Sequence, residues 1–224
     1  MQCMDIGFLF DWDGVVIDSH AQHELSWEMI AEEMGRPLPE GFFKKTFGMR
    51  NVGIIPLWLP ETEGNLAEIQ RIGDRKEELY RLILHRDGLS ALPGVKEFLQ
   101  QAHDAGIPRC VGSSTPRANI EAVVEMTGLQ GLFDDMVCAE DVSRGKPAPD
   151  VFLKGAEKIG RDPKRCVVFE DAFVGLEAGK AGGMKTVAIA STNPIETLSM
   201  ADAAFHSLVG VTPLDLAKRL GLAG

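Results

Sequence analysis

Short β-rich runs alternate with segments of helical periodicity along the second half of the sequence, and this alternation constrains the fold more than any other feature. Glycines follow several of the helical segments where a helix usually ends, namely Gly106, Gly128 and Gly160. Strands that alternate with helices form βαβ units, so the pattern predicts an α/β fold with a parallel sheet. The predicted strands are residues 6–10, 110–112, 136–138, 166–169 and 186–189.

The sequence between the first predicted strand and residue 107 has helical periodicity and contains no convincing strand. Helices are predicted over residues 20–34 and 66–86. The inner stripe of the second helix is predicted to be Leu66, Ile69, Ile72, Leu79, Leu82 and Ile83.

We therefore predict an all-helical cap domain of residues 19–92, inserted into a core domain of residues 1–18 and 93–224. Its two connections lie close together in any fold that places the first strand centrally. Such a hinge would allow the cap to close over the edge of the sheet.

The composition is typical of a globular protein, with 45% hydrophobic and 25% charged residues among 224. The formal net charge is −10 and no basic run occurs, so neither nucleic acid nor an anionic membrane is an expected partner. No run of about 18 apolar residues is present, so no membrane span is predicted. The oligomeric state stays open, with a monomer favoured.

The cysteines are widely spaced and stand in or beside apolar runs, which indicates buried thiols rather than disulfides or a metal site. They are Cys3, Cys110, Cys138 and Cys166. The first 18 residues carry several aspartates and do not resemble a signal peptide. We therefore expect a cytoplasmic protein.

The strongest chemical signal is Asp11-Trp12-Asp13-Gly14, which directly follows the first predicted strand. Open parallel sheets bind ligands at the carboxyl ends of their strands, so Asp11 and Asp13 should project into the functional crevice. Residues two positions apart at a strand end point the same way, and Gly14 allows a sharp turn after them. Alone, the motif is equally compatible with an acidic turn.

Polar residues also follow other predicted strands. Ser113 and Ser114 stand before a helix, a position suited to phosphate oxygens, and that helix is predicted to have Thr115 as its N-cap and Pro116 in its first turn. Glu170 and Asp171 end another strand, and Lys146 lies on a loop that prolines stiffen. Taken singly, the serines indicate a helix cap, the Glu170-Asp171 pair a turn, and Lys146 a solvated charge. Taken together, they would all lie at one edge of the sheet.

Such a cluster suits an anionic substrate despite the acidic net charge. A carboxylate nucleophile and a phosphate repel each other by about 4 kcal/mol per unit-charge pair at about 4 Å and an effective dielectric of about 20. A divalent cation held by the acids removes this repulsion, and Lys146 can neutralise further charge. Hard oxygen ligands select Mg²⁺.

This arrangement resembles the haloacid dehalogenase-like phosphotransferase superfamily, whose four motifs are matched by Asp11-x-Asp13-Gly14, Ser113, Lys146 and Glu170-Asp171. The resemblance covers nearly the whole chain, because the helical insert looks like the helical cap of that superfamily. It implies a doubly wound parallel sheet, the Rossmann-like core of these proteins, with an inserted cap.

The resemblance also implies roles for the motif residues. Asp11 would be the nucleophile that forms an aspartyl-phosphate, and Asp13 the general acid and then the base. Ser113 and Lys146, with Ser114 beside them, would bind the phosphoryl group. Mg²⁺ would be held by Asp11, the backbone carbonyl of Asp13, and Asp171, with Glu170 in the inner or outer shell.

Within the superfamily the sequence is most similar to the β-phosphoglucomutase and sugar-phosphatase group. His23 matches the hinge histidine of the cap, and Gly48 and Arg50 belong to a cap segment that would contact the substrate. Arg117 could contact the distal group of the substrate. The cap lysine of the mutases is not clearly matched, and Arg81 is the nearest cation to its register.

Because the cap lysine of the mutases is not clearly matched, the cap would bind a second phosphate more weakly. This favours hydrolysis over the mutase reaction. The resemblance therefore implies a Mg²⁺-dependent phosphatase that acts on a small phosphorylated metabolite, with a sugar phosphate as the expected class. A β-phosphoglucomutase-type phosphotransferase is the alternative. A receiver-like binding module regulated by phosphorylation is a remote one, because such a module needs neither a cap nor the acid Asp13.

Overall fold

The computed structural model describes residues 5–223. The chain divides into two compact units, a core unit that runs to Asp18 and resumes at Ser90, and a cap unit of Ser19–Leu89. The predicted cap limit at residue 92 is three residues too late. Ala91 pairs with Ile17, and the N–H of Leu92 donates to the carbonyl of Val16 at 2.9 Å, so these residues belong to the core unit.

The core unit contains one sheet of parallel strands in the order β3-β2-β1-β4-β5-β6. This confirms the predicted α/β fold and its doubly wound sheet. The strands are β1 (Gly7–Phe10), β2 (Arg109–Gly112), β3 (Asp135–Val137), β4 (Cys166–Glu170), β5 (Lys185–Ile189) and β6 (Ala203–Phe205). The sequence pattern missed β6, which has only three residues, two of them alanines.

Helices occupy both units. They are α1 (His20–Glu33), α2 (Phe42–Thr46), α3 (Asn51–Trp58), α4 (Leu66–Asp87), α5 (Val95–Asp104), α6 (Arg117–Thr127), α7 (Asp150–Lys158), α8 (Phe173–Ala181) and α9 (Pro213–Arg219). The first four belong to the cap unit and the others to the core unit. No helix among the described residues is long and apolar enough to span a membrane.

Aromatic side chains support the two central strands of the sheet. Phe10 of β1 pairs in register with Phe169 of β4, and their rings stack at 4.3 Å. Phe8 and Phe98 pack beside them, with ring centroids 5.4 Å apart. Aromatic pairs of this kind contribute about 0.5–1.5 kcal/mol beyond their buried area. The ends of β1 and β4 are therefore held at a fixed spacing.

The cap unit is built on α4, which packs along α1 and α3. Ile69, Ile72, Leu79 and Ile83 are buried as predicted. Leu66 and Leu82 are exposed, at 69% and 57%, because Leu66 starts the helix and Leu82 lies beyond the edge of the buried face, about 100° around the helix from Ile83. Polar residues share that buried face, namely Lys76, Glu77 and Tyr80.

The described cysteines, Cys110, Cys138 and Cys166, are free and buried, as predicted. Burial raises the pKa of each of these thiols to about 12, so they are protonated. Cys3 lies outside the described residues.

Candidate active site

The topology brings the ends of β1 and β4 together at the point where the strand order reverses. Asp11 directly follows β1, and its N–H donates to the carbonyl of Phe169 in β4 at 2.9 Å. Lys146 lies between the acids of the two strands. Its Nζ is 2.8 Å from Oδ1 of Asp11 and 2.6 Å from Oε1 of Glu170.

A cluster of acids surrounds this lysine. Asp11, Glu170 and Asp171 each offer a carboxylate oxygen within 4.8 Å of the others. Burial, followed by the charge of Glu170, raises the pKa of Asp11 to about 7 against the opposing charge of Lys146. Burial and the charges of Glu170 and Asp11 raise the pKa of Asp171 well above its usual range. When they are ionised, these three carboxylates outnumber the one lysine, so their negative charge is only partly balanced.

This donor set fits a hard divalent cation, because the oxygens are convergent, buried and mutually repulsive. The negative charges of Asp11 and Glu170 also act on the pKa of Lys146. Burial alone would lower its pKa, but Asp11 and Glu170 raise it, so the side chain stays cationic. The carboxylate cluster consists of Asp11, Glu170 and Asp171, and the predicted metal contact of the Asp13 backbone carbonyl stays a prediction.

Both carboxylate oxygens of Glu170 already accept hydrogen bonds from the protein. Oε1 accepts from Lys146, and Oε2 accepts from the N–H groups of Asp171 and Ala172, each at 2.9 Å. Gly175 makes room for this side chain, since a Cβ there would stand 1.7 Å from Oε1. The side chain of Glu170, the last residue of β4, is therefore held in place just before α8.

The loop after β5 holds Asp171 and Gly14, and the sequence analysis missed it. The hydroxyl of Thr192 donates to Oδ2 of Asp171, and the amide of Asn193 donates to its backbone carbonyl at 3.0 Å. The hydroxyl of Ser191 donates to the carbonyl of Gly14. A signal was available, because Ser191 to Asn193 are polar residues that follow a predicted strand.

A second chain of hydrogen bonds links the end of β2 to Asp13. Ser113 is buried, and its N–H donates to the carbonyl of Val137, which extends the ladder between β2 and β3. Ser113 Oγ accepts from the N–H of Thr115 at 3.1 Å. The hydroxyl of Thr115 donates to Oδ2 of Asp13 at 2.5 Å. Ser114, between them, is half-buried.

The predicted start of α6 is wrong by one residue. Pro116 occupies the N-cap position rather than the first turn, and Thr115 is not the cap. The Thr115 hydroxyl donates to the carboxylate of Asp13, and Pro116, the N-cap residue of α6, makes no side-chain capping bond.

Arg117 begins α6 and is engaged by acids of the core unit. Its Nη2 lies 2.8 Å from Oδ2 of Asp141, and its N–H donates to Glu140. The predicted contact of Arg117 with a substrate stays a prediction. For this contact, the guanidinium would have to bind Asp141 and the substrate together or break its ion pair with Asp141.

The remaining predicted site residues lie in the cap unit. His23 is buried on α1, stacks on Tyr80 at 4.0 Å, and has its Nδ1 2.8 Å from Nζ of Lys76. Gly48 is exposed with φ +83°, and Arg50 is the N-cap residue of α3. Their contacts with a substrate stay predictions.

Lys76 is the cation of α4 that the sequence analysis overlooked in favour of Arg81. It is 2% exposed, and its Nζ lies 3.1 Å from Oε1 of Glu77 as well as beside His23. Asn51 donates to the same Glu77 oxygen at 2.8 Å. A lysine on the buried face of an amphipathic helix breaks the apolar pattern, which is the signal that could have identified it.

A model of the haloacid dehalogenase-like hydrolases matches residues 7–183, which include the cap unit, the core unit as far as α8, and all four motifs. The chain belongs to the haloacid dehalogenase-like hydrolase family.

Named relatives of this family member include phosphatases. It is 32% identical to hexitol phosphatase A of Escherichia coli over 214 residues, covering 95% of this chain and 94% of that protein. It is 32% identical over 223 residues to the chloroplastic 5-amino-6-(5-phospho-D-ribitylamino)uracil phosphatase of Arabidopsis thaliana. That match covers 97% of this chain but spans only 58% of the plant protein.

Solved structures of the family share the fold over nearly their whole length. A family IA hydrolase from Entamoeba histolytica superposes with a TM-score of 0.87 at 26% identity, covering 96% of this chain and 99% of that one. A β-phosphoglucomutase from Clostridium difficile has a TM-score of 0.83 at 22% identity, covering 97% and 98%. The second likeness concerns the fold alone.

Proposed function

We propose that this family member is a Mg²⁺-dependent phosphatase that hydrolyses a small phosphorylated metabolite through an aspartyl-phosphate on Asp11. The observation that carries the proposal is the position of Asp11. Its carboxylate lies 2.8 Å from Nζ of Lys146, which it shares with Glu170, and within 4.8 Å of carboxylate oxygens of Glu170 and Asp171. Asp13 follows two residues later, with Thr115 on its carboxylate. A nucleophile, a proton carrier and a charge-balancing cation are thus close together.

The proposed reaction has two steps. An oxygen of Asp11 attacks phosphorus as the bond to the leaving-group oxygen breaks, and Asp13 gives that oxygen a proton. Asp13 then takes a proton from water as the water oxygen bonds to phosphorus and the bond to Asp11 breaks. Lys146 and the Ser113 hydroxyl hold the phosphoryl oxygens. Since Ser113 Oγ already accepts from Thr115, its own O–H is available as a donor.

Asp11, the Asp13 carbonyl and Asp171 are the proposed ligands of Mg²⁺. When bound, the ion would offset the charge of the acids and polarise the phosphoryl oxygens. Glu170 is assigned to the outer shell, because both of its oxygens already accept hydrogen bonds from Lys146 and the backbone. There it would orient Lys146 and the turn that carries Asp171.

Sugar phosphates are the proposed substrate class. The relatives that support this are hexitol phosphatase A and the fructose-1-phosphate phosphatase of Escherichia coli, the latter 30% identical over 181 residues, covering 81% of this chain and 94% of that protein. The plant relative acts, by its name, on a ribityl phosphate attached to a uracil ring. A phosphate on a polyol or sugar carbon is common to these substrates.

A β-phosphoglucomutase activity is the second candidate, supported by a mycobacterial relative of that name at 31% identity over 207 residues, covering 80% of this chain and 78% of that protein. Lys76 is a buried lysine on α4, the helix in which the sequence showed no clear match to the cap lysine of the mutases. However, Glu77 neutralises Lys76 at 3.1 Å, so the pair adds no net positive charge for a second phosphate. Hydrolysis therefore stays the preferred proposal.

A screen of phosphate release tests this proposal. With Mg²⁺ present, we expect release of inorganic phosphate from hexose, hexitol or pentitol phosphates, without any bisphosphate activator. Interconversion of β-glucose 1-phosphate and glucose 6-phosphate with little phosphate released would favour the mutase. Absence of turnover on all phosphate esters, including an aryl phosphate, would reject both.

Thermal unfolding should report the proposed metal site independently of turnover. The pKa of Asp11 rises from 3.8 to about 7 on folding, and that of Asp171 also rises. The metal-free fold therefore loses stability as the pH rises through that window, because the folded protein keeps protons that the unfolded chain has already released. Mg²⁺ needs the deprotonated carboxylates, so its stabilising effect should grow over the same window.

We expect Mg²⁺ at about 100 times its Kd to add about 2.7 kcal/mol, or roughly 5–10 °C in Tm, at about pH 8. At about pH 5 the gain should be much smaller, because protons compete for the ligands. Differential scanning calorimetry with and without Mg²⁺ measures the gain in Tm at each pH. Asp171→Asn should lose most of the gain at the higher pH. Equal gains at both pH values would contradict the assignment.

A further inference from the structure

Thr115 connects the end of β2 to the proposed proton carrier. Thr115 and Asp13 are 102 residues apart in sequence, and the hydroxyl of Thr115 donates to Oδ2 of Asp13 at 2.5 Å. Thr115 is 7% exposed, so little water competes for this bond. A hydrogen bond from a hydroxyl to a carboxylate is charge-assisted, and therefore both short and strong.

The backbone of Thr115 is anchored on both sides. Its N–H donates to Oγ of Ser113 at 3.1 Å, and its carbonyl accepts from the N–H of Ala139 at 3.1 Å. Pro116 follows, and a proline restricts the backbone of the residue before it. The hydroxyl is therefore presented from a rigid point, between the residue proposed to bind phosphate and the residue proposed to move protons.

The carboxyl of Asp13 has to be held in one orientation to act as a general acid. An aspartate carboxyl turns about two side-chain bonds, and a general acid works only within hydrogen-bond reach of the leaving-group oxygen. Misplacement by about 1 Å can cost roughly 100-fold in rate. The residue after Asp13 is Gly14 with φ +79°, so a tight turn begins there and contributes no side chain to hold the carboxyl.

We propose that Thr115 is a positioning residue for Asp13, an inference that rests on the proposed function. The Thr115 O–H donates to Oδ2 and fixes the direction of the Asp13 carboxyl, which exchanges the proton first with the leaving group and then with water. Thr115 keeps its own proton in both steps. Thr115 thereby couples the geometry of acid–base catalysis to the loop that binds the phosphoryl group.

The test compares Thr115→Val with the wild type on two substrates. A hexose 6-phosphate has a poor leaving group that needs the acid, whereas 4-nitrophenyl phosphate has a good one that hardly does. Since kcat/KM covers the steps up to release of the first product, it isolates the acid role. We expect kcat/KM for the hexose phosphate to fall about 10- to 100-fold. The fold-loss for the aryl phosphate should be smaller than this by a factor of at least about 5. Thr115→Ser keeps the hydroxyl and should recover most of the loss.

Thr127→Val is the matched control, since this threonine lies on α6 and donates only to the carbonyl of Val123 among the bonds described, at 2.7 Å. It should leave both kcat/KM values within about twofold of the wild type. If Thr115→Val does not fold, Thr115→Ala is measured in the same way.

Two outcomes would overturn the inference. Equal losses on both substrates, with no recovery in Thr115→Ser, would assign Thr115 a purely structural role. Unchanged or faster turnover of the hexose phosphate would mean that Thr115 holds Asp13 away from the reaction. A wild-type protein that hydrolyses neither substrate would instead reject the proposed function.

Discussion

Asp11→Asn is expected to abolish phosphate release, with kcat reduced on the order of 10⁴-fold or more, as for other covalent nucleophiles. An asparagine amide cannot form the acyl-phosphate bond under these conditions, and Asp13 cannot replace it because its carboxyl is held by Thr115. The loss should be chemical rather than structural. Removing one of three buried carboxylates relieves repulsion, and Lys146 keeps its ion pair with Glu170 at 2.6 Å.

Two measurements check this prediction. Steady-state phosphate release gives the loss of turnover, and intact-mass spectrometry of quenched reactions should detect one added phosphoryl group on the wild type but not on Asp11→Asn. Asp104→Asn is the control, because Asp104 is an exposed residue of α5 whose side chain accepts from Gln100. It should stay within about twofold of the wild type. Substantial activity in Asp11→Asn would exclude the covalent mechanism.

Gly14→Ala should have the next largest effect, through the proposed metal site. Gly14 has φ +79°, and a Cβ there would stand 2.2 Å from Oδ2 of Asp171 and 3.2 Å from Cγ2 of Thr192. The Asp171 carboxylate would have to leave its present position. Loss of ligand orientation typically lowers metal affinity about 10- to 100-fold, and we expect at least that loss in Mg²⁺ affinity, with a parallel loss of kcat/KM.

Gly183→Ala separates this clash from backbone strain. Gly183 belongs to the same unit and has φ +76°, but a Cβ there would meet nothing within 4 Å. Both variants should lose about 1–2 kcal/mol of stability from the left-handed backbone, but only Gly14→Ala should lose Mg²⁺ binding. Isothermal titration with Mg²⁺ measures this directly. Equal Mg²⁺ affinity in the two variants would contradict the placement of Asp171 in the metal site.

The strand-end residues were predictable for a topological reason. Asp11, Glu170 and Asp171 each follow an apolar run, and the carboxyl ends of parallel strands share one edge of the sheet. The pattern alone therefore predicted that they meet, although the runs are far apart in sequence. Their catalytic and metal-binding roles stay predictions.

Residues outside that pattern were not predictable in the same way. Lys76 lies on the buried face of α4, where periodicity leads one to expect an apolar residue. Thr115 looked like a helix cap, the commonest role of a threonine before a helix. Its contact with Asp13 depends on how β1 and β2 lie side by side, which is a long-range property.

The sequence by itself determined the class of the fold and the acids that meet at the sheet edge, because hydrophobic periodicity and strand-end position are local properties. Its four motifs, which include Lys146, carried the resemblance to the family. Only the tertiary structure decided which atoms meet. It paired Lys146 with both Asp11 and Glu170, enclosed Asp171 with the loop after β5, and turned Thr115 toward Asp13. Those contacts follow from strand register and side-chain packing, which couple residues far apart in sequence and leave no mark on the pattern around any one of them.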